Sequence, residues 1–554
     1  MLYLVLATLS SLCFLHYIIT WCKAKRLQHT VEAGKVPPWA SEGLPLVGNS
    51  VAFLRDPFAF VLSLSSKHPV RLRLPGANPI LVQGLDNVRT LFRLSAWSNP
   101  AHAQQFIASR LFGMPPVASA SFVRDNSGIA AKPKPGTNVE SRNRICHRDH
   151  EIIRSMFQGP ELSDLIDRFS GLLYEKMHHL PIGSQWVEMP DLFEFLVTQI
   201  TPLSIELLCG PSLTKVIDPD FVRDFWRFDS WVPTIAKKAP RWIFPQGYRI
   251  RDKLIASIKR WRMSSCMVRD DEKNMTGCKG MKDKLNLLDV DGWDMDAIAA
   301  SDLGLIWAAN SNTISCLYWM TYEIFRRPSL LAHIQRECSE SISKRSEQLT
   351  PKFELTTLLS QPYLQSSFAE TLRYRCHIFI TRYPDSDDMY VNGWRLPAGS
   401  LLMACSTVQH MEESLWNTKT YGKQPLNIFW PERFLTLVND HNYGYRHRKE
   451  SAISLSYDVE SSRSDQSSAP KQQPKFTSKG LEGVWVPFGG GSQMCPGQRL
   501  AKVQVFLTTA LITTLFEVEP SDPRKEIPVN WAHFGTGVAK PAAPLPFRIR
   551  RRPA

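Results

Sequence analysis

A single cysteine near the end of the chain lies in a glycine-rich segment directly before a predicted helix. Residues 486–515 read VPFGGGSQMCPGQRLAKVQVFLTTALITTL, and apolar side chains from Leu500 to Leu511 recur on one helical face. Cys495 therefore precedes a helix whose first backbone N–H groups have no partner within that helix. We expect these N–H groups and the positive end of the helix dipole to lower the thiol pKa and favour the thiolate.

Four glycines lie close to this cysteine and leave space around it. Gly489, Gly490, Gly491 and Gly497 remove side chains on both sides of Cys495. Glycines at this density let a large planar group approach the backbone closely and leave N–H groups able to point at the sulfur. A haem iron with an axial thiolate fits this description. The alternative is an inert cysteine in an ordinary glycine-rich loop, which this segment alone does not exclude.

Composition and missing motifs remove several other classes of protein. The 554 residues are 43% hydrophobic, which is typical of a globular protein, and the 11 cysteines include no CxxC pair. That pattern disfavours a structural zinc site or a disulfide framework and favours reduced thiols facing the cytosol. The chain has no GxxxxGK[ST] phosphate loop, no GxSxG elbow and no HExxH motif. Kinase, hydrolase and metalloprotease functions therefore lose most of their support.

An uncharged apolar run at the N-terminus predicts a single membrane anchor. Residues 2–21 contain no Asp, Glu, Lys or Arg, and as a helix they are long enough to cross a bilayer. Lys23, Lys25 and Arg26 follow directly, which predicts that the rest of the chain stays on the cytoplasmic side. The alternative is a cleaved signal peptide, but the run is long, has no basic region before it and lacks an A-x-A cleavage site.

The remaining sequence predicts one large, mainly α-helical domain with smaller β-sheets. We expect an anchor over residues 1–22, a basic and proline-rich linker over 23–49 and a catalytic domain over 50–554. A Ser-, Lys-, Arg- and Gln-rich stretch over 439–480 is interpreted as a mobile insertion. The predicted elements are a small sheet within Ser50–Arg93, helices over Leu162–Met177, Asp296–Arg327 and Gln365–Arg375, a surface loop over Cys266–Lys284 and a hairpin over Met389–Ser406.

A second motif lies upstream of the cysteine, on the helix that leads through Arg375. ETLR places Glu370 and Arg373 three residues apart, so both side chains lie on the same helical face and can form an ion pair. An isolated ExxR is more often an exposed pair on a helix surface than part of a functional site. Further along, PERF supplies Arg433.

The cysteine segment, together with these two motifs in the same order, resembles the cytochrome P450 family. FGGGSQMCPG resembles the haem-binding signature of that family, with Phe488, Gly491, Cys495 and Gly497 at the matching positions. The family usually has Arg or His two residues before the cysteine, and this chain has Gln493. The resemblance implies the cytochrome P450 fold, haem b (iron protoporphyrin IX) as cofactor and Cys495 as the axial ligand of its iron.

The resemblance also implies roles for four charged residues. Glu370, Arg373 and Arg433 would form a buried network that holds the loop leading to the cysteine, since each buried charge is compensated only while its partners remain. Arg382, nine residues after Arg373, occupies the region where members of the family offer an arginine to a haem propionate.

The long predicted helix over Asp296–Arg327 carries a polar patch within an apolar surround. The segment WAANSNTISC places Asn310, Ser311, Asn312 and Thr313 together. By the resemblance, Thr313 matches the threonine that assists oxygen activation above the haem. The residue before it is more often an acid in the family, and Asn312 cannot release a proton at neutral pH. The alternative for Thr313 is a hydroxyl that bonds back to its own helix.

Taken together, the resemblance implies an oxygen-inserting enzyme with a hydrophobic substrate. The Asn-Thr pair and the spelling of the cysteine segment look like the branch of cholesterol 7α-hydroxylase, sterol 12α-hydroxylase and prostacyclin synthase, which points to a sterol, terpenoid or other lipid-like compound. Electrons would come from an NADPH-cytochrome P450 reductase. Two alternatives remain: a haem-thiolate isomerase or dehydratase that needs no redox partner, and a haem protein that binds lipid or gas without turnover.

The charge balance is consistent with this assignment. There are 66 Lys+Arg and 52 Asp+Glu, a formal charge of +14. Such a balance suits nucleic acid, an anionic membrane or an acidic protein. With the predicted anchor and reductase, we expect membrane lipid and an acidic partner, no nucleic acid, and a single-pass location in the endoplasmic reticulum membrane.

Overall fold

The computed structural model describes residue 15 and residues 36–40, 43, 47–74, 77–94, 100–265, 277–343, 351–384, 388–416, 424–437 and 474–553. The anchor predicted over 1–22 lies outside the described residues apart from Leu15, and so does much of the linker. The insertion predicted over 439–480 lies outside them as far as residue 473. Its last part is ordered, because Pro474–Phe476 forms a strand that pairs with Leu435–Leu437.

The described residues are mainly helical, as the sequence predicts. The helices, numbered in chain order, are α1 Ser50–Arg55, α2 Pro57–Ser63, α3 Leu85–Arg93, α4 Ala101–Phe106, α5 Pro116–Arg124, α6 Ile145–Met156, α7 Gly159–His178, α8 Leu192–Cys209, α9 Phe221–Ala236, α10 Pro245–Ser265, α11 Lys279–Asp283, α12 Met295–Phe325, α13 Pro328–Glu340, α14 Leu355–Ser360, α15 Pro362–Arg375, α16 Ser406–Met411, α17 Glu413–Trp416 and α18 Gln498–Leu515.

The strands form small sheets at the edges of the helical body. They are β1 Val70–Arg71, β2 Ile80–Leu81, β3 Val187–Met189, β4 Cys376–Arg382, β5 Met389–Val391, β6 Trp394–Leu396, β7 Leu402–Cys405, β8 Leu435–Leu437, β9 Pro474–Phe476, β10 Phe516–Pro520, β11 Val529–Asn530, β12 Thr536–Val538, β13 Lys540–Pro541 and β14 Phe547–Arg551. The largest sheet has five strands in the order β1-β2-β7-β4-β12, and a second has the order β10-β14-β3. Strands β11 and β13 form a separate antiparallel pair.

Helix α12 runs through the middle of the fold and confirms the prediction of a long buried helix. Asp294 begins it, because its side chain accepts hydrogen bonds from the N–H groups of Asp296 and Ala297. The helix is apolar around most of its circumference and contacts α8, α10, α15 and α18. A helix with this pattern is stable only when other helices cover it, which places its polar residues inside the protein.

The hairpin predicted within Met389–Ser406 is confirmed for its first half. Val391 pairs with Trp394 across Asn392 and Gly393, whose φ angles of 47° and 83° are those of a tight hairpin turn. The second half, β7, pairs instead with β4 and with β2. Residues 402–405 are buried on both faces, as expected of a central strand rather than of one arm of a hairpin.

The surface loop predicted over Cys266–Lys284 is wrong for its described part. Residues 279–283 form helix α11, in which Gly280 and Met281 are buried. Lys284 is also buried. Its burial is possible because its ammonium group donates to Ser301 Oγ at 2.7 Å and lies 3.6 Å from Asp302. The charged composition of this segment predicts exposure to solvent. The charge of Lys284 is buried nevertheless, because it has partners on a distant part of the chain.

Among the described residues, one helix is long and apolar enough to cross a membrane by length and composition. This helix is α8, and most of its residues are buried against its neighbours. It contacts α7 and α12. Helix α8 is therefore a core helix of the folded domain.

Candidate functional site

The cysteine segment forms a tight loop closed by its own backbone. The N–H of Cys495 donates to the carbonyl of Phe488 at 3.0 Å, and the N–H of Met494 donates to Gly491 at 3.2 Å. Gly489 and Gly491 have φ angles of 76° and 69°, where a side chain would be strained. These two glycines let the chain turn back on itself, so that Cys495 lies just before the first residue of α18.

The thiol of Cys495 receives two backbone hydrogen bonds, from the N–H groups of Gly497 and Gln498. Of the described cysteines, Cys495 is exposed, whereas the other seven are buried. Its sulfur is nevertheless surrounded by enough protein that burial raises the pKa of the thiol, and the two N–H groups only partly offset this. A side chain that is both accessible and crowded lies in a concave part of the protein. The expectation of a lowered pKa is therefore wrong: desolvation outweighs the two hydrogen bonds.

Phe488 and Gly497 of the cysteine segment have different surroundings. The ring of Phe488 packs near Phe368 and Trp485, with centroid distances of 6.4 and 6.1 Å, and so joins the loop to the core. A Cβ atom added at Gly497 would meet no protein atom within 4 Å. A Cβ atom at Gly490, in contrast, would collide with the ring of Phe92. Contact with Phe92 therefore explains why residue 490 is a glycine, whereas no protein contact explains the glycine at 497.

Glu370, Arg373 and Arg433 form a fully buried ionic network, here called the Glu370 network. Both carboxylate oxygens of Glu370 accept hydrogen bonds from Arg373 at 2.7 Å, and Arg433 Nε donates to the same carboxylate at 3.4 Å. The N–H of Trp430 also donates to it at 3.0 Å. Arg373 in turn donates to the carbonyl of Leu426 at 2.9 Å. The network thus ties α15 to the segment around PERF.

His410 connects the Glu370 network with the cysteine loop, a role that no motif around this residue indicates. Its carbonyl accepts a hydrogen bond from Arg373 at 3.2 Å, while its ring Nε2 accepts one from the N–H of Val486 at 3.1 Å. Burial holds the pKa of His410 well below its usual value, so the ring is neutral and Nε2 is free to accept. Val486 lies two residues before Phe488. A chain of hydrogen bonds therefore runs from Glu370 to the start of the loop.

Arg382 lies beside the same loop with part of its guanidinium group unused. It donates to the carbonyls of Gly490 and Thr381, both at 2.7 Å. Its Nε–H is buried without a hydrogen-bond partner, and no described carboxylate forms an ion pair with it. Burial lowers the pKa of Arg382 to about 10. A buried cation in this state favours an anion as its partner.

The four polar residues in the middle of α12 have four different environments. Asn310 donates to the carbonyl of Ile306 at 2.9 Å, and Ser311 donates to Asp229 at 2.7 Å. The Oδ1 atom of Asn312 accepts from the N–H of Val538 at 2.9 Å, so this side chain holds strand β12. The hydroxyl of Thr313 has no hydrogen-bond partner among the described residues. Thr313 therefore does not bond back to its own helix.

The residues around Cys495 fit a haem group. The donor is a sulfur with two N–H groups directed at it, which matches an anionic thiolate ligand. Arg382 supplies a buried, unpaired N–H for an acidic edge of the group. On α12, Ala308, Ala309, Asn312 and Thr313 are less buried than the residues between them, which gives the helix one open face. These are the features that a cofactor with an apolar ring and two carboxylates requires.

The two basic residues that follow Cys495 differ in their surroundings. Lys502 donates to the carbonyl of Leu359 at 3.3 Å and to the side chain of Gln365 at 3.1 Å, and burial lowers its pKa. Arg499 is exposed. Lys502 thus joins α18 to α14 and α15, and Arg499 is the cation presented to solvent.

Comparison with known proteins gives the family. The family model described as Cytochrome P450 matches residues 221–452 and 464–545, more than half of the chain. The cytochrome P450 monooxygenase fsoE of Humicola fuscoatra is 27% identical over 97% of this chain and 92% of its own length. Cholesterol 7-alpha-monooxygenase of Cricetulus griseus is 22% identical over 61% of each chain.

A solved structure has the same fold. The cyanobacterial CYP120A1 with bound retinoic acid superposes with a TM-score of 0.64 and 16% identity, covering 94% of this chain and 100% of its own. The fold class expected from the sequence, mainly α with smaller sheets, is confirmed. The chain therefore belongs to the cytochrome P450 family, is an enzyme of the monooxygenase type and has the haem iron that this family implies as its cofactor.

Proposed function

We propose that this protein is a haem-thiolate monooxygenase that inserts one oxygen atom from O₂ into a hydrophobic sterol, terpenoid or other lipid-like substrate. The observation that carries the proposal is the loop of Cys495, whose thiol lies in a concavity, receives two N–H hydrogen bonds and is held by a buried ionic network. Bound haem b would supply O₂ binding and the transfer of electrons to oxygen. Cys495 would be the iron ligand, and Arg382 would bind a propionate.

The contacts of each residue in the site indicate its role. The N–H groups of Gly497 and Gln498 stabilise negative charge on the sulfur, which favours the thiolate once a cation is near. The Glu370 network and His410 keep the loop in one conformation, because every buried charge in it loses compensation if the loop moves. Thr313, whose hydroxyl is uncommitted, can accept and pass on a proton at its Oγ1 atom. Asn312 holds strand β12 and is not proposed as a proton donor.

Support for a lipid-like substrate comes from the relatives and from the surface. Cholesterol 7-alpha-monooxygenase is named for a sterol. Between α9 and α10, Trp242, Ile243 and Phe244 are exposed by 83%, 48% and 38%. An exposed apolar group of this kind suits contact with a membrane, where such substrates dissolve. We propose that residues 1–22 anchor the chain in the endoplasmic reticulum membrane and that an NADPH-cytochrome P450 reductase supplies the electrons.

The test is turnover of the full chain with a purified NADPH-cytochrome P450 reductase in lipid vesicles. A panel of sterols, triterpenes and fatty acids is incubated with NADPH and ¹⁸O₂, and the products are identified by mass spectrometry. We expect a product that contains one ¹⁸O atom and forms only when NADPH and reductase are present. A product that forms without NADPH would contradict the proposal and favour the isomerase.

A further inference from the structure

A second buried ionic group lies on the side of α12 that faces α9 and the β11–β13 pair. It comprises Asp229 on α9, Lys540 on β13 and three residues of α12, namely Trp307, Ser311 and Ser315; we call it the Lys540 cluster. Asp229, Ser311 and Lys540 are exposed by only 3%, 2% and 6%. Three segments that are far apart in the sequence therefore bring opposite charges together inside the protein.

The hydrogen bonds of the Lys540 cluster converge on Ser311. Lys540 Nζ donates to the carbonyl and the Oγ atom of Ser311 at 2.9 and 2.7 Å, and to Ser315 Oγ at 3.2 Å. It also lies 3.4 Å from Asp229 Oδ2. The other oxygen of Asp229 accepts from Ser311 Oγ at 2.7 Å and from Trp307 Nε1 at 2.9 Å. Both charges are thus paired and hydrogen-bonded, which such deep burial requires.

These bonds act on the turn of α12 that carries Thr313. The carbonyl of Ser311 accepts from Lys540 and also from Ser315 Oγ at 2.8 Å. Side-chain donors on a helix carbonyl compete with the helix's own hydrogen bond and change the local geometry. Asn312 is held at the same time by the N–H of Val538. The neighbours of Thr313 on both sides are therefore fixed by β12 and β13, while its hydroxyl has no described partner.

We propose that Lys540 is a positioning residue for Thr313. By pairing with Asp229 and donating to Ser311 and Ser315, it holds the turn 311–315 against β13 and α9, so that the Thr313 hydroxyl points into the open face of α12. The inference rests on the proposed function, because it assigns Lys540 to the delivery of protons through Thr313. Loss of the cation would let the turn relax and would misplace that hydroxyl.

The experiment compares Lys540→Met with Thr313→Ala and with a matched control, Lys284→Met. Lys284 is also a buried lysine that bonds to a serine of α12, and Asp302 keeps its ion pair with Arg262 at 2.7 Å when Lys284 is removed. The first readout is hydrogen–deuterium exchange of the amides of residues 311–315. We expect it to be about tenfold faster in Lys540→Met, because the turn opens locally, and unchanged there in Lys284→Met.

The second readout is hydrogen peroxide released per NADPH consumed, with a purified NADPH-cytochrome P450 reductase. Misplaced proton delivery diverts two electrons and two protons to O₂ as peroxide instead of completing its reduction. We expect the ratio to rise about threefold to tenfold in Lys540→Met, the size expected for one hydrogen-bonded group, and to rise likewise in Thr313→Ala. Lys284→Met should resemble the wild type.

The double variant Lys540→Met/Asp229→Asn separates positioning from mere charge compensation. Removing Asp229's charge restores neutrality, so we expect the melting temperature to recover while peroxide release stays high. Recovery of both, or unchanged exchange at 311–315 in Lys540→Met, would overturn the inference. Failure of the proposed function is distinguishable, because the wild type itself would then form no ¹⁸O-labelled product that depends on NADPH and reductase, whereas the exchange readout does not depend on turnover.

Discussion

The Glu370 network and the Lys540 cluster are two buried ionic groups built from different elements of the fold. Glu370 and Arg373 lie three residues apart on one helix, and their bonds connect to the loop of Cys495. Asp229, Ser311 and Lys540 come from two helices and a strand, and their bonds end on the helix turn that carries Thr313. The first group holds the loop of Cys495, and the second holds the helix turn beside the uncommitted hydroxyl of Thr313.

Buried charges in this protein position other residues as well as stabilise the fold. In the Glu370 network one carboxylate serves two guanidinium groups, so its loss would leave two cations uncompensated. In the Lys540 cluster one cation faces one carboxylate and is also satisfied by serine oxygens. We therefore expect the Glu370 network to dominate folding and the Lys540 cluster to act more strongly on chemistry.

The largest expected effect is that of Glu370→Gln. Two buried guanidinium groups would lose their carboxylate, and breaking a buried pair in this way costs about 3–5 kcal/mol. We expect little folded haem protein, measured as the yield of the carbon monoxide complex and as the melting temperature by circular dichroism.

The control for this variant is Glu519→Gln, which breaks an exposed pair with Arg548. It should cost less than about 1 kcal/mol. If Glu370→Gln melted like this control, the Glu370 network would not be what holds the cysteine loop.

A smaller effect is expected when Asn312 is changed. Asn312→Leu leaves the N–H of Val538 without its acceptor, at a cost of about 1–3 kcal/mol. Asn312→Asp keeps an oxygen in the same place and should melt close to the wild type. Equal destabilisation by both substitutions, in the same melting experiment, would show that the contact with β12 is not the role of this side chain.

Substitution of Arg382, which lies beside the Cys495 loop, tests whether this residue helps to retain haem. Arg382→Met removes the bond to the carbonyl of Gly490 and the N–H groups that would meet a propionate. We expect haem transfer to an excess of apomyoglobin to be about tenfold faster, equivalent to about 1.4 kcal/mol, with an unchanged circular dichroism spectrum. The control is Arg89→Met, because Arg89 is a half-buried arginine that likewise donates to a backbone carbonyl, that of Glu482. Equal rates of haem transfer for Arg382→Met and the wild type would show that Arg382 does not bind haem.

The smallest effect is a dependence of stability on pH through Glu337. Its carboxyl group accepts hydrogen bonds from the N–H groups of Tyr363 and Leu364 at the start of α15. Burial raises the pKa of Glu337 to about 7, above its usual value of 4.5. Protonated Glu337 therefore stabilises the folded state, and this contribution is lost as the pH rises through about 7. The free energy of unfolding of the wild type, measured by denaturant titration relative to Glu337→Gln, should fall between pH 5.5 and 8 by on the order of 1 kcal/mol. A difference independent of pH would contradict this.

The sequence predicted the parts of the site that depend on local spacing. The position of Cys495 before a helix follows from the glycines and the apolar repeat, and Glu370 and Arg373 share a face because they are three residues apart. The hairpin at Asn392 and Gly393 follows from the φ angles that these residues tolerate. Such features are decided within a few residues, so a sequence displays them.

The sequence did not predict what depends on contacts between distant segments. Asp229 lies two residues from Arg227 in an aromatic segment, and Lys540 stands in an apolar tail, so neither segment by itself indicates that the two charges pair. The pKa of the Cys495 thiol depends on how much protein surrounds the sulfur, which spacing does not show. Asn312 looked like part of a polar patch, and its partner Val538 is 226 residues away.

The most direct test is the difference spectrum of the dithionite-reduced protein with carbon monoxide, recorded for the intact chain and for Cys495→Ser. We predict a strongly red-shifted Soret band in the intact protein, because a thiolate ligand pushes electron density onto the iron. The band should vanish in Cys495→Ser even if haem is retained. A folded intact protein that retains haem but lacks this band would contradict Cys495 as the ligand and, with it, the assignment as a haem-thiolate monooxygenase.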